Sequence, residues 1–213
     1  MLDNKAAQAE FERAWNDARY SRAVLPPVDV NGVLARWYET DGEPLVFTAD
    51  MLWDMEVRKA GDPAAFIPYV VQEGTATAWV PGREDGAVGL GDAFVRRSAQ
   101  RLWLRPDEYG LVLEEVYLDH EEKVVTFLGR AEFPEAPEGR LSAGTGQPLF
   151  HVQHGVAGTA ARPTNTWRIV VLTDEPDERV VKVFEEMAAE VWLPGFVENY
   201  ARDVLGVPLT RKG

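Results

Sequence analysis

The sequence predicts an α+β fold in which a curved antiparallel β-sheet lies against one long C-terminal helix. Residues 177–205 place apolar side chains at the 3.6-residue spacing of a helix. Residues 72–173 are rich in β-branched and aromatic side chains, and turn residues divide them into successive strands. Because these strands follow one another without intervening helices, the order is typical of an α+β protein and not of βαβ units.

Composition limits the class of protein. The chain has 213 residues, 46% of them hydrophobic, which suits one domain with a full core. A net charge of −13 disfavours nucleic acids and anionic membranes as partners, and the lack of cysteine excludes disulfides and thiolate metal sites. With no signal sequence and no long apolar run, we expect a soluble cytoplasmic protein. Homo-oligomers are compatible with the sequence.

The N-terminal residues 1–43 are predicted to be a helical appendage of this single domain. Apolar residues recur at helical spacing over 3–23, and Pro26 and Pro27 would end that helix. A short strand over residues 33–39 should follow an Asn31-Gly32 turn.

Residues 44–59 are open to two interpretations. Apolar and polar residues alternate as in a half-buried strand, which we favour, and this strand would begin a sheet region spanning residues 44–173. Alternatively, Thr48 or Asp50 caps a helix that ends near Gly61, since the segment is rich in helix formers. Asp62 followed by Pro63 then predicts the start of a short helix.

The rest of the chain is predicted as strands, one long loop and the terminal helix. Within the C-terminal segment 174–205, Pro194 and Gly195 should kink or interrupt the helix. We expect Trp192 to face the sheet and a ligand to lie between sheet and helix. The predicted strands are 72–80, 91–104, 109–119, 123–133, 149–157 and 164–173, with turns at Pro81-Gly82 and Asp85-Gly86 and a loop over 134–148.

This order of elements resembles the helix-grip fold of the START/Bet v 1-like superfamily, also called SRPBCC. In that fold a seven-stranded antiparallel sheet wraps around a long C-terminal helix, and the resemblance covers residues 44–205. It implies an internal cavity, because the family includes lipid and hormone carriers and polyketide aromatase/cyclases. The NTF2/SnoaL-like cone is the alternative, but it places its helices before the sheet.

The three histidines are the first candidates for proton transfer. His151 and His154 are three residues apart, so on a strand they point to opposite faces and do not chelate one metal ion. If Phe150 and Val152 face the core, His154 joins them, and in the other register His151 does. His120 is expected in an exposed turn.

Carboxylates and aromatic residues complete the predicted site. Both faces of the strand 109–119 carry a carboxylate among apolar residues, either as an acid or base or as a partner of an arginine. We choose Glu115 and Asp54 as carboxylate partners of His154 or His151. The walls of the cavity, or else ordinary core residues, would be Trp53, Trp103, Tyr117, Trp167 and Trp192.

These features predict a protein that binds a small hydrophobic or aromatic molecule in an internal cavity. Acid/base chemistry without a cofactor or metal, of the cyclase, lyase or isomerase type, would follow from one buried carboxylate and one inward histidine. The alternative is a carrier or sensor that does not change its ligand. A carboxylate–histidine pair inside the protein favours the enzyme, and a uniformly apolar cavity favours the carrier.

Overall fold

The computed structural model describes residues 3–82 and 89–212. Its helices are α1 (Asn4–Asn16), α2 (Val30–Trp37), α3 (Ala49–Gly61), α4 (Pro63–Phe66), α5 (Glu178–Ala188) and α6 (Gly195–Asp203). Its strands are β1 (Ser21–Asp29), β2 (Tyr38–Thr40), β3 (Thr77–Trp79), β4 (Ala93–Leu102), β5 (Arg105–Asp119), β6 (Val124–Gly129), β7 (Glu132–Ala136), β8 (Gly139–Ser142), β9 (Phe150–Gly158), β10 (Pro163–Val171) and β11 (Leu209–Arg211).

One open antiparallel sheet of seven strands dominates the fold. The strand order is β1-β10-β9-β6-β5-β4-β3, so the first strand of this sheet pairs with the last, and the others follow in reverse chain order. The predicted fold class, an antiparallel sheet with helices that are not interleaved between parallel strands, is confirmed. The β5–β6 hairpin is confirmed as well, and residues 134–148 contain part of the small β7–β8 hairpin within the predicted loop.

The C-terminal helical segment is interrupted, as Pro194 and Gly195 predict. It consists of α5 and α6, and Pro194 is the N-cap residue of α6. Proline has no N–H and therefore fits a helix start better than a helix interior. Helix α5 packs on β1, and its Val180 and Phe184 are buried in the core.

The favoured strand over residues 44–59 is wrong, because this segment forms helix α3. Thr48 is the N-cap residue, and its Oγ1 accepts a hydrogen bond of 3.1 Å from the backbone N–H of Met51. The buried residues recur at helical spacing on one side of the helix. They are Leu52, Trp53, Met55, Glu56, Lys59 and Ala60. Helix α3 lies across β6, β9 and β10, so it covers the centre of the sheet where the C-terminal helix was expected.

The N-terminal region is also part of the sheet, which corrects its prediction as an appendage. Helix α1 ends at Asn16, and β1 forms the edge of the sheet beside β10. Pro26 and Pro27 lie at the irregularity between Leu25 and Val28, where a missing N–H costs no ladder hydrogen bond. Residues 30–37 form helix α2 because Asp29 Oδ1 accepts from the Gly32 N–H and caps it.

Two faces of the sheet are therefore covered by different helices. On the α3 face, the core includes Phe94, Val116, Phe127 and Val152. On the opposite face, which we call the α1 face, α1 buries a separate cluster. That cluster comprises Ala7, Phe11, Ala14, Tyr117, Leu128 and Val170. The predicted Pro81-Gly82 turn is present, whereas Asp85-Gly86 lies outside the described residues, and no described helix is long and apolar enough to span a membrane.

Candidate acid/base site

A buried polar cluster lies between α3 and the sheet. We define it as Glu56, Lys59, His154 and Asn165. Glu56 and Lys59 are three residues apart on the buried side of α3, so they are neighbours on one helix face. His154 pairs with Trp167, and Asn165 lies two positions from Trp167 on β10. The period of two residues in a strand therefore places His154, Trp167 and Asn165 on the same face.

The cluster is held together by short contacts. Lys59 Nζ lies 2.7 Å from Glu56 Oε2 and 2.7 Å from His154 Nδ1. Glu56 Oε2 is 3.2 Å from the same Nδ1 atom. Asn165 Nδ2 donates to Glu56 Oε1 at 2.9 Å. Glu56 is 0% exposed and Lys59 3%, whereas 19% of the His154 side chain remains exposed.

Burial and charge determine the protonation states of the cluster. Burial would raise the pKa of Glu56, but the charges of Lys59 and His154 outweigh it and lower that pKa to about 2. Burial and the Lys59 charge lower the pKa of His154 to about 4 against the attraction of Glu56. Burial also lowers the pKa of Lys59, opposed by Glu56. At neutral pH, Glu56 is thus a carboxylate and His154 a neutral imidazole.

The geometry also selects the tautomer of His154. The Lys59 ammonium has hydrogens to donate and no lone pair, so His154 Nδ1 accepts from it. The proton of the neutral ring therefore resides on Nε2. Among the residues that the structure describes, none forms a hydrogen bond with Nε2.

Aromatic rings surround the cluster. The Phe196 ring centroid lies 3.7 Å from Lys59 Nζ, within the range of a cation–π interaction. The His154 ring centroid is 5.5 Å from that of Phe127, 6.1 Å from Trp167 and 6.4 Å from Phe196. Such rings are apolar surroundings, in which the charges of the cluster interact more strongly than they would in solvent.

A second buried ion pair ties the end of α3 to the sheet. Arg96 Nε donates to Glu114 Oε2 at 2.7 Å, and both residues are buried. Arg96 Nη1 donates to the carbonyl oxygens of Ala60 at 2.9 Å and Lys59 at 3.3 Å. These carbonyls belong to the last turn of α3, where a cation is favourable. Arg96 therefore positions the backbone that carries Lys59.

The structure separates the two predicted histidines. His154 faces α3 together with Phe150 and Val152, which is the first of the two registers considered. His151 lies on the α1 face, where its Nδ1 accepts from the Gly129 N–H at 3.1 Å. His151 is 4% exposed, and burial lowers its pKa. The pair therefore does not share one site.

The predicted carboxylates are not in the cluster. Glu115 lies on the α1 face, 2.6 Å from Arg130, and accepts from the Tyr117 hydroxyl at 2.9 Å. The predicted pairing of Glu115 with His154 is therefore wrong, because a strand residue one position away from Glu114 points to the opposite face. Asp54 pairs with Arg58 at 2.7 Å and accepts from the Tyr200 hydroxyl at 2.8 Å.

Glu56 and Lys59 take the place of the predicted carboxylates, and the sequence contained a signal for them. In the strand interpretation, Glu56 falls on the polar face with Asp54. In the helix interpretation, Glu56 and Lys59 share a face with Leu52, Met55 and Ala60, so two charged residues lie inside an apolar stripe. Charged residues are rarely buried without a partner, so that stripe indicates an ion pair in the core.

Of the five predicted aromatic wall residues, Trp167 contacts His154. Trp53 is buried and donates from Nε1 to His120 Nδ1 at 3.0 Å, in the β5–β6 connection. Trp192 packs on Trp37 and Tyr38 instead of the sheet, which corrects its prediction. Tyr117 belongs to the cluster on the α1 face, and Trp103 packs between Phe150 and Phe184.

The space predicted between the sheet and the C-terminal helix is filled at α5. The ring centroids of Trp103 and Phe184 are 4.9 Å apart, and those of Trp103 and Phe150 are 4.5 Å apart. A groove of about 370 Å³ lies instead at the seam of α3, α4 and α6. It is lined by Val57, Arg58, Gly61, Asp62, Ala65, Phe66, Asn199, Asp203 and Val204.

No protein-family model matches the chain, and no curated protein matches it in sequence. Among solved structures, the Zhui aromatase/cyclase from Streptomyces sp. R1128 matches with a TM-score of 0.45 and 14% identity, over 78% of this chain and 92% of that one. A truncated norcoclaurine synthase from Thalictrum flavum matches with a TM-score of 0.44 and 14% identity, over 89% and 98%. A START superfamily protein from Mycobacterium smegmatis matches with a TM-score of 0.43 and 12% identity, over 80% and 95%.

At these identities and TM-scores, the matches carry no information on the site. In this sheet β1 lies beside β10, and the remaining strands follow in reverse chain order. The sheet is open, because its edge strands β1 and β3 do not pair with each other. With its two C-terminal helices, the chain is an α+β protein built on an open antiparallel sheet of seven strands.

Proposed function

We propose that the protein binds a small hydrophobic or aromatic molecule at the α3 face of its sheet and transfers protons to and from it without a cofactor. The observation that carries this proposal is the state of His154. Its Nδ1 is engaged by Lys59, and its Nε2–H has no partner among the described residues. Trp167 and Phe196 supply apolar surface beside the same ring.

The chemistry follows from this arrangement. His154 Nε2–H hydrogen-bonds to an oxygen of the ligand, such as a carbonyl, and donates its proton there while a solvent water molecule removes a proton from the adjacent carbon. Lys59 donates to Nδ1 and can replace the lost proton, so the ring does not become an anion. Glu56 stabilises the Lys59 ammonium, which otherwise would be costly in this apolar site. Lys59 and Glu56 thus act through His154.

Enzyme and carrier are distinguished by the polarity of the site. A carrier is expected to surround its ligand with apolar groups alone, whereas this site contains a charged pair and a histidine whose pKa is lowered to about 4 by burial and by Lys59. Perturbed titratable groups of this kind concentrate at functional sites. The polar cluster therefore favours proton transfer over transport.

The proposal is tested by hydrogen exchange on an aromatic ketone. We expect the wild-type protein to accelerate exchange of the α-protons of 2-tetralone for deuterium in D₂O, followed by proton NMR. His154→Gln should reduce this acceleration by about 100-fold, which is the lower part of the range for general acid–base catalysis. His151→Gln, on the α1 face, serves as the matched control and should retain it.

The outcomes separate the alternatives. Saturable binding of 2-tetralone without accelerated exchange would favour the carrier. Equal exchange with His154→Gln and wild type would contradict the role of His154. Absence of both binding and exchange would contradict a ligand site for aromatic ketones at the α3 face.

A further inference from the structure

The first turn of α6 covers part of the buried polar cluster. Phe196 is the second residue of this helix, and its ring centroid lies 3.7 Å from Lys59 Nζ. The same ring lies beside that of His154. Phe196 and Lys59 are both buried. A displacement of this turn would therefore uncover the amine of Lys59.

The turn is not fixed by a side-chain cap of its own helix. Pro194 is the N-cap residue of α6 and makes no side-chain cap hydrogen bond. The C-terminal half of α6 borders the groove shared with α3 and α4, to which Asn199, Asp203 and Val204 contribute, so the helix is incompletely packed there. The position of the first turn therefore depends on its contacts with other elements.

Glu198 connects this turn to β2 and β11. Glu198 lies in the first turn of α6, and its carboxylate accepts a hydrogen bond from the Tyr38 hydroxyl. Arg211 Nε donates to Glu198 Oε1 at 3.0 Å, and Arg211 Nη2 lies 2.9 Å from the same oxygen. The Tyr38 hydroxyl also accepts from the Leu193 N–H at 2.9 Å. This network therefore fixes both the turn and the residues that lead into it.

Arg211 is the most exposed member of the network. Its side chain is 48% exposed, against 24% for Glu198. Its guanidinium carbon lies 5.0 Å from the Trp192 ring centroid, within the range of a cation–π interaction. Strand β11 has three residues and pairs with β2 in a sheet of two strands. An ion pair this exposed is weak and is screened by salt, so it can break while the protein remains folded.

We infer that Arg211 holds the first turn of α6 over the buried polar cluster through Glu198, and that loss of this ion pair opens a path to Lys59. Because Phe196 and Glu198 belong to one helical turn, a displacement of Glu198 moves the ring that covers Lys59. Arg211 is thus a positioning residue. The inference rests on the proposed function in one respect, since the opened path is assigned to the ligand.

Acetylation of Lys59 measures this opening without a ligand. The folded protein receives a brief pulse of N-hydroxysuccinimidyl acetate, and peptide mass spectrometry gives the rate of modification of Lys59 relative to Lys5, which is exposed on α1. Low concentrations of urea distinguish the two routes to Lys59, because global unfolding depends steeply on urea and a local opening does not. We expect a shallow dependence on urea.

Substitutions of Arg211 test its role. Arg211→Met keeps an apolar side chain beside Trp192 but removes the charge, and it should speed the acetylation of Lys59 at least about threefold. Arg211→Lys keeps the charge and should stay within about twofold of the wild type. The matched control is Arg202→Met, which removes an α6 arginine paired with the exposed Asp203 at 2.6 Å. It should also stay within about twofold of the wild type.

Salt provides a second measurement that needs no variant. Raising the salt concentration should speed the acetylation of Lys59 in the wild type, because it screens the ion pair of Arg211 and Glu198. In Arg211→Met this increase should be absent. A wild-type rate that does not respond to salt would count against the inference.

The other outcomes separate the inference from the proposed function. An effect of Arg211→Met no larger than that of Arg202→Met would overturn the inference. Acetylation of wild-type Lys59 that depends on urea as steeply as global unfolding would also overturn it, because the turn would then not open in the folded protein. The expected acetylation pattern without binding or exchange of 2-tetralone would contradict the proposed function and leave the role of Arg211 intact.

Discussion

Replacing Lys59 by methionine should reverse the pH dependence of stability. In the folded wild-type protein the pKa of His154 is lowered to about 4, whereas the ordinary pKa of a histidine, which applies in the unfolded chain, is 6.5. The unfolded chain therefore binds more protons between these values, and the free energy of unfolding falls as the pH decreases through this window. At about 1.4 kcal/mol for each pKa unit, His154 accounts for a loss of about 3 kcal/mol.

In the Lys59→Met variant, the free energy of unfolding should change with pH in the opposite direction. Without the ammonium, Glu56 remains as a buried carboxylate 3.2 Å from His154 Nδ1, and it favours the imidazolium. The pKa of folded His154 should then rise above its ordinary value. Its contribution to stability would be present at lower pH and lost as the pH rises through the new value. At neutral pH the variant should also be less stable by about 3–5 kcal/mol, because one partner of a buried pair is missing.

Urea denaturation followed by tryptophan fluorescence, at about pH 5 and about pH 8, measures both effects. The control is Lys123→Met, which removes a lysine paired with the exposed Asp50 at 2.9 Å. It should cost less than about 1 kcal/mol and keep the wild-type pH dependence. A Lys59→Met protein that retains the wild-type pH dependence would refute the electrostatic coupling of Lys59, Glu56 and His154.

Four further substitutions test the arrangement of the site and the packing of α5. Arg96→Gln should cost about 3–5 kcal/mol in urea denaturation, because Glu114 is left buried without its cation, and should raise the pKa of His154 in an NMR titration. Glu115→Gln should leave the pKa of His154 unchanged, since Glu115 lies on the α1 face. A shift of that pKa would contradict this position of Glu115. Phe184→Ala should lower the free energy of unfolding by about 3–5 kcal/mol. Met187→Ala, at a position 56% exposed, should change it by less than about 0.5 kcal/mol. Equal effects of the two substitutions would contradict the packing of α5.

The strands and the break in the C-terminal helix could be predicted because their causes are local. β-Branched and aromatic residues between turn residues mark β4, β5, β9 and β10, and the missing N–H of Pro194 interrupts a helix wherever it occurs. Helix α3 could not be predicted from its local pattern, since residues 44–59 alternate like a strand and also contain helix formers. The cap at Thr48 and the buried stripe against the sheet decided it, and the second of these is a tertiary contact.

The positions of the site residues depended on which face each strand turns to α3. For β9, the sequence left two registers open, and in the structure Phe150, Val152 and His154 face α3. For β5, both faces are buried, one by α3 and one by α1, so apolar neighbours flank Glu114 and Glu115 alike. The sequence pattern of β5 contains no distinction between these faces. The choice of Glu115 failed for that reason, and the error over α3 hid Glu56 and Lys59.

The central claim is that His154 is neutral and carries its proton on Nε2 because Lys59 donates to Nδ1. Long-range proton–nitrogen NMR correlations of the three histidines distinguish the two tautomers and follow each pKa. We predict an Nε2–H tautomer for His154 at neutral pH and a pKa of about 4. A proton on Nδ1, or a pKa at or above the ordinary value of 6.5, would contradict the account.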